Sequence, residues 1–302
     1  AQLARPRRVW SREQKALTCA ASSATLSFLA AQTWNWSLCE TLEAPKDLQL
    51  SKDDEALLLS VLEGGVENLR QWTQAPTSWW DDCKSIRISG LKDVSHHIKK
   101  LDGFPIKLQM VTAEWENICL NDLLLLSEAS ETCLKLSFDP VIDTMTTRLQ
   151  FGNGKARFLR TMTRPTLMGL ISAREVDSVL REPETMPDGL VVGGGLGLQS
   201  PLLVDKIQNS DYLKAVASQP PSKGKVRAVD HTSGYIFKPL DDAARSGPTA
   251  RGTWKVHYIL LSEAGGGVPH WAAEKGVIKA IIDWYTAAHR EWVRRETTKA
   301  VC

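Results

Sequence analysis

The sequence predicts an α+β chain in which an antiparallel sheet lies against a long C-terminal helix. Three observations predict this class. Strand-like segments separated by Gly, Pro, Asn and Asp turn signals fill much of the chain: TCLKLSF, TTRLQFG, ARFLRTMT, EVDSVLRE, GLVVGGGL, KVRAVDH, GYIFKPL and WKVHYILLSE. No alternation of strand with long helix appears among them, which argues against a doubly wound nucleotide fold. The final segment, GGGVPHWAAEKGVIKAIIDWYTAAHREWVRRE, carries Val277, Ile281, Trp284, Ala288 and Trp292 at the spacing of one helix face.

Taken in order, residues 1–50 stand apart. Arg5, Arg7, Arg8, Arg12 and Lys15 lead into ALTCAASSATLSFLAA, Ala16–Ala31, a basic and then mildly apolar pattern like that of a targeting region. The apolar piece is interrupted by Ser and Thr and falls short of the ~20 apolar residues a bilayer-spanning helix needs. Arg5–Ala31 is therefore expected to be an arm, a peripheral helix packing on a partner, outside the domain core. CETLEAPKDLQLSKDD reads as a linker, which divides the chain into an arm and linker over 1–50 and a main domain over 51–302. Asp53 or Asp54 is placed to cap the helix through EALLLSVLEGGVENLRQW, with Leu57, Val61, Leu62 and Leu69 on one broad face. SIRIS alternates like a strand, LKDVSHHIKKLDG has a helical spacing ended by Gly103, and ENICLNDLLLLSEAS fits either a helix or a buried strand. In the last helix Pro269 suits the first position, and Lys279, Asp283, Arg290 and Arg294 occupy the polar side. Gly265–Gly267 before it either allow a hinge or only make a tight turn.

Composition excludes some functions. The 302 residues, 43% hydrophobic, are enough for a large core, and 37 basic residues nearly balance 35 acidic ones, so charge gives no drive toward nucleic acid. Eleven Trp against six Phe and four Tyr suit deep pockets, interfaces or a Trp-rich core. Cys19, Cys39, Cys83, Cys119, Cys133 and Cys302 are scattered without a Cys-x-x-Cys, so free thiols in a reducing compartment are expected. His96 and His97 are adjacent on an expected helix and point to different faces, so no metal site is expected.

VVGGGLGLQSP, Val191–Pro201, imitates a phosphate loop but lacks the third glycine of Gly-x-Gly-x-x-Gly and any following Gly-Lys-Ser/Thr. A strand end or bulge in a crowded sheet is the reading it supports. No Gly-x-Ser-x-Gly occurs, and the pairs Asp81-Asp82 and Asp241-Asp242 read as solvated turns. No cofactor and no catalytic residue are expected, although a triad assembled from distant positions leaves no local motif.

ISAREVDSVLRE, DGLVVGGGLG, KVRAVDHTSGYIFKPL, WKVHYILLSEAGGGVP and the final helix together resemble, in order and spacing, the second half of START domains, the steroidogenic-acute-regulatory-protein-related lipid-transfer domains. Arg174, Val179, Val226-Arg227, Pro239-Leu240, Gly265-Gly266 and Pro269 carry the resemblance, which spans roughly residues 170–296, is loose from about 80 to 170 and absent before 50. It implies a helix-grip fold, a curved antiparallel sheet wrapped around the C-terminal helix, with an N-terminal helical extension and an apolar tunnel for one lipid. VVGGGLG becomes a central strand whose missing side chains make room for ligand or for a neighbouring layer. Where cholesterol-binding relatives end the Arg-Asp-Phe-Val-x-Val-Arg motif with arginine, this chain has Leu180, and Arg181 is displaced by one residue, which reverses its face on a strand. Sterol specificity is therefore not implied.

The resemblance implies a lining of Leu180, Val192, Asp230, Tyr235, Phe237, His257 and Ile259 from the sheet, facing Ala280 and Trp284 from the helix. Alternation places Tyr235 with Phe237 and His257 with Ile259. Asp230 is either an acceptor for a head group or a turn residue beside His231. The expected function is non-catalytic binding, with transfer as an extension, of a hydrophobic lipid by an intracellular protein peripheral to a membrane, that of an organelle included, with a cytoplasmic location as the alternative. The competing expectations are an accessory subunit of a membrane-associated assembly, contacted through the arm, and a cyclase-type enzyme of the helix-grip superfamily.

Overall fold

The computed structural model describes residues 49–166, 169 and 171–301. The arm Arg5–Ala31 and the linker up to residue 48 lie outside the described residues. The first helix, α1 (Lys52–Gln74), starts earlier than the expected Asp53 or Asp54 cap. Ser51 is the cap: its hydroxyl accepts from the Asp54 N–H at 3.0 Å, and the Asp54 carboxylate accepts from the Ser51 N–H at 3.3 Å. Leu58, Val61, Leu62, Val66 and Leu69 form the buried stripe of α1.

Three strands follow: β1 (Asp82–Ser85), β2 (Lys92–Lys100) and β3 (Lys107–Ile118). The helix expected over LKDVSHHIKKLDG is instead strand β2, because it pairs antiparallel with both β1 and β3 and buries the alternating Val94 and His96. Gly103, at φ +83°, turns the chain from β2 into β3 rather than ending a helix. Of SIRIS only Ser85 belongs to a strand. ENICLNDLLLLSEAS contains both of its alternatives, the end of β3 and then α2 (Leu120–Ser127). TCLKLSF is not a strand but a single helical turn, α3 (Lys135–Phe138).

The remaining strands stand near where they are expected: β4 (Ile142–Phe151), β5 (Ala156–Thr163), β6 (Arg174–Thr185), β7 (Val191–Gly197), β8 (Val226–Arg227), β9 (Val229–Pro239) and β10 (Gly252–Glu263). Short helices α4 (Pro201–Val204) and α5 (Asp211–Ala217) follow β7, and α6 (Asp242–Arg245) precedes β10. All strands join one sheet in the order β1-β2-β3-β10-β9-β7-β6-β5-β4, antiparallel throughout except for β8, which pairs parallel with β6. The C-terminal helix α7 (His270–Val301) lies against β3 and β10. Its anchor is Tyr285, whose hydroxyl lies 3.0 and 2.8 Å from the carbonyls of Val111 and Val256, bridging two paired strands.

Strand alternation sorts the core. On the α7 side, Trp254, Val256, Tyr258 and Leu260 of β10 sit beside Tyr235 and Phe237 of β9. On the α1 side, Ile259 and Leu261 pack with Ile236, Val192 and Leu69. The glycine run is a central strand, as the resemblance implies. Gly194 pairs with Gly234, and a Cβ on either would press into Leu69 of α1 at 2.6 or 2.5 Å. These glycines admit a helix side chain, not a phosphate.

Candidate functional site

A cavity of about 650 Å³ lies on the α7 side of the sheet. Its walls are Leu159, Val176 and Leu180 of β5 and β6, Tyr235, Phe237, Tyr258 and Leu260 of β9 and β10, and Leu124 and Leu125 of α2. From α7 it receives Ala273, Gly276, Val277 and Ala280. These are small side chains on the first turns of the helix, so the helix covers the sheet without filling the space beneath it. Further along α7 the inward residues Ile281, Trp284, Tyr285 and Ala288 are buried in a packed core, and the cavity stops there.

The expected lining residues divide into two groups. Leu180, Asp230, Tyr235, Phe237 and Ala280 come together around the cavity. Trp284 lies behind this wall, its ring centroid 4.9 Å from that of Tyr235 and 5.4 Å from that of Tyr258. Val192, His257 and Ile259 face the other side of the sheet. The register explains this: His257 pairs with Ile236 and Val192 pairs with Ile236 on its other edge, while Tyr235 pairs with Tyr258 and Gly193. Paired residues share a face, so Tyr235 and His257 cannot. Burial among apolar neighbours, with Lys255 and Lys238 nearby, pushes the His257 imidazole down to about 3. Asp230 is a strand residue of β9, not a turn residue, and burial raises its carboxyl pKa against the hydrogen bond it shares with Ser262.

Polar groups missed by the sequence reading complete the cavity. Lys135 of α3 is only 4% exposed, lines the cavity, and donates to the Tyr235 hydroxyl at 2.9 Å. Its ammonium lies 5.3 Å from the Tyr235 ring centroid and 5.9 Å from that of Tyr258. Burial drives both tyrosine hydroxyls well above their ordinary range, so they stay protonated. Arg174 at the start of β6 also lines the cavity; it donates to the carbonyl and hydroxyl of Ser172 at 2.9 and 2.6 Å, and its buried Nε has no acceptor among the described residues. Arg157 and Arg181 are paired with Glu182 and Glu184. The signal for Arg174 was the resemblance of the segment that begins ISAREVDSVLRE. Lys135 gave no signal, because TCLKLSF reads as a strand and nothing local in it brings a lysine to a cavity.

A second buried polar cluster lies on the α1 side of the sheet. Arg160 donates to both oxygens of Asp177 at 2.7 and 2.8 Å, Arg227 donates to the same carboxylate, and Arg160 and Arg227 each stand 3.3 Å from Glu175. Burial opposes ionisation of Asp177, and the two guanidinium groups hold its carboxyl below the usual range nonetheless. This network ties β5, β6 and β8 together. Among the described residues no group of His, Cys, Asp and Glu is arranged to hold a metal ion.

No protein-family model and no curated protein matches the sequence. Solved structures do. Human StAR-related lipid transfer protein 5 is 17% identical with a TM-score of 0.60 over 78% of this chain and 96% of that one. Human STARD10 is 15% identical with a TM-score of 0.53 over 84% and 87%. At these identities the likeness concerns the fold, and with the ten-stranded sheet and its covering C-terminal helix it leads to one statement: the chain has the START helix-grip fold.

Proposed function

We propose that this chain is a non-catalytic binder of one hydrophobic lipid, with residues 51–302 as a START-like lipid-binding domain. The observation that carries the reading is the apolar cavity of about 650 Å³ between the sheet and the small-residue turns of α7. An acyl or isoprenoid body moving from water into it gains roughly 25 cal/mol for each Å² of apolar surface buried. Leu180, Tyr235, Phe237 and Ala280 meet that body, and Asp230 meets its polar end. The fold shared with a protein named for lipid transfer supports the reading.

Exchange takes place at a membrane surface, to which the protein is peripheral inside the cell. No described helix is long and apolar enough to cross a membrane. Trp271, 64% exposed, stands on the first turn of α7, the same turn as Ala273 of the cavity wall. An exposed indole there suits the membrane interface. Gly265, Gly266 and Gly267 all adopt positive φ just before it and give α7 a place to pivot.

The basic and apolar arm over residues 1–50 favours a second reading, an accessory subunit of a membrane-associated assembly. One experiment separates the two. The protein is incubated with vesicles of mixed neutral and acidic lipids, recovered by gel filtration, and its lipid-to-protein ratio measured. Saturation near one lipid per chain is the expected result. Lipid-free protein, recovered from its native source with stable partner chains, would replace this reading with the second.

A further inference from the structure

We infer that the lipid taken by this cavity carries an anionic head group, carboxylate or phosphate, and that Lys135 is its counter-ion. The inference rests on the lipid-binding reading above. A buried ammonium is costly unless it is paired. Lys135 is buried, yet among the described residues no carboxylate lies within ion-pair distance of it, and the hydrogen bond to Tyr235 is the only one its ammonium makes. An ammonium has three donors, so two remain unused on a side chain that lines the cavity. The rings of Tyr235 and Tyr258 offer it a partial electrostatic partner from one side. An acidic head group entering the cavity would complete its shell.

Among the described charged residues of the cavity, Arg174 also keeps an unpaired nitrogen, its Nε, and the test below separates it from Lys135. Arg157 and Arg181 already have carboxylate partners. Arg174 is occupied in part by Ser172. Asp230 faces the same space and feels the charge of Lys135, but it forms no ion pair with it and its side chain shares a hydrogen bond with Ser262. Glu128 at the cavity margin is exposed to water. A neutral lipid can offer Lys135 hydroxyl or carbonyl acceptors but no charge to balance its own, and a cationic one would be repelled.

Calorimetric titrations of the full chain with dodecanoic acid, dodecyl phosphate and dodecanol, all below micelle formation, test the inference. At least one of the two anions should bind tenfold or more tightly than the alcohol, and the stronger of them names the head group. Acetate or inorganic phosphate alone should not bind measurably. Lys135→Met should bring the anion down to the level of the alcohol while leaving alcohol binding intact, which also shows that the variant is folded; Lys135→Arg should keep the preference. Equal affinity for acid and alcohol in the unaltered protein would overturn the inference while leaving lipid binding standing. A preference that survives Lys135→Met but disappears in Arg174→Met would overturn it as well. Failure of all three amphiphiles to bind would remove the lipid-binding reading with it.

Discussion

The two faces of the sheet are covered by helices in opposite ways. On the α1 face the backbone makes room for the helix: Gly194 and Gly234 are paired, and Leu69 drops into the space where their side chains would be. That side is filled. On the α7 face the helix makes room instead, with Ala273, Gly276 and Ala280 over a sheet that carries full side chains such as Tyr235 and Leu180. That side is hollow, but only under the first turns, since Trp284 and Tyr285 close the space further along. The comparison teaches that a small residue creates a cavity only when nothing from the facing layer grows into the gap it leaves.

The largest expected effect tests the filled half of α7. Trp284→Ala removes a side chain that is 2% exposed and packed against the rings of Tyr235, Tyr258 and Tyr285, and should cost about 3–5 kcal/mol in denaturant unfolding. A loss below about 1 kcal/mol would mean that this half is hollow too. On the opposite face, Gly234→Ala drives a methyl group into Leu69 and against the Gly193 carbonyl, and should cost about 1–3 kcal/mol. The double change with Leu69→Ala should recover part of that loss, and strict additivity would show that the glycines do not serve the helix.

His257 sharpens the contrast through pH. Its folded-state pKa of about 3 lies below the unfolded value of about 6.5, so the fold favours the neutral ring. Its contribution is therefore complete above about pH 6.5 and is lost as pH falls from there toward 3, by up to about 1.4 kcal/mol per pH unit. His257→Leu should flatten the stability profile between about pH 6 and pH 4 by that slope; an unchanged profile would place His257 in contact with water or with the cavity. The smallest stability change is expected for Ala280→Trp. A ring projecting into empty space displaces no packed neighbour and should alter stability by less than about 1 kcal/mol.

Much of the fold was legible in the sequence because local pattern and tertiary role agreed. The α7 stripe buries Ile281, Trp284 and Ala288 and half-buries Val277 and Trp292, and the α1 stripe buries Val61, Leu62 and Leu69, with Leu58 rather than Leu57 beside them. LKDVSHHIKKLDG was not legible, since Leu91, Val94 and Ile98 fall at helix spacing while Val94, His96 and Ile98 alternate, and only pairing with β1 and β3 decides between them. The site was legible in part. Single-strand alternation grouped Tyr235 with Phe237 and His257 with Ile259, but which pair faces α7 is set by register across strands, and that register is not written in either strand alone. Lys135 was hidden because its value lies in what surrounds it: a one-turn helix brings it to Tyr235, one hundred residues away in sequence.

The central claim is that the hollow under the first turns of α7 holds the lipid. Native mass spectrometry tests it directly on two proteins, the unaltered chain and Ala280→Trp, each incubated with the same mixed-lipid vesicles and recovered by gel filtration. The account predicts a mass increase of one lipid on the unaltered chain and its loss from Ala280→Trp at unchanged unfolding free energy. The same lipid adduct on both proteins, or none on the unaltered chain, would contradict it.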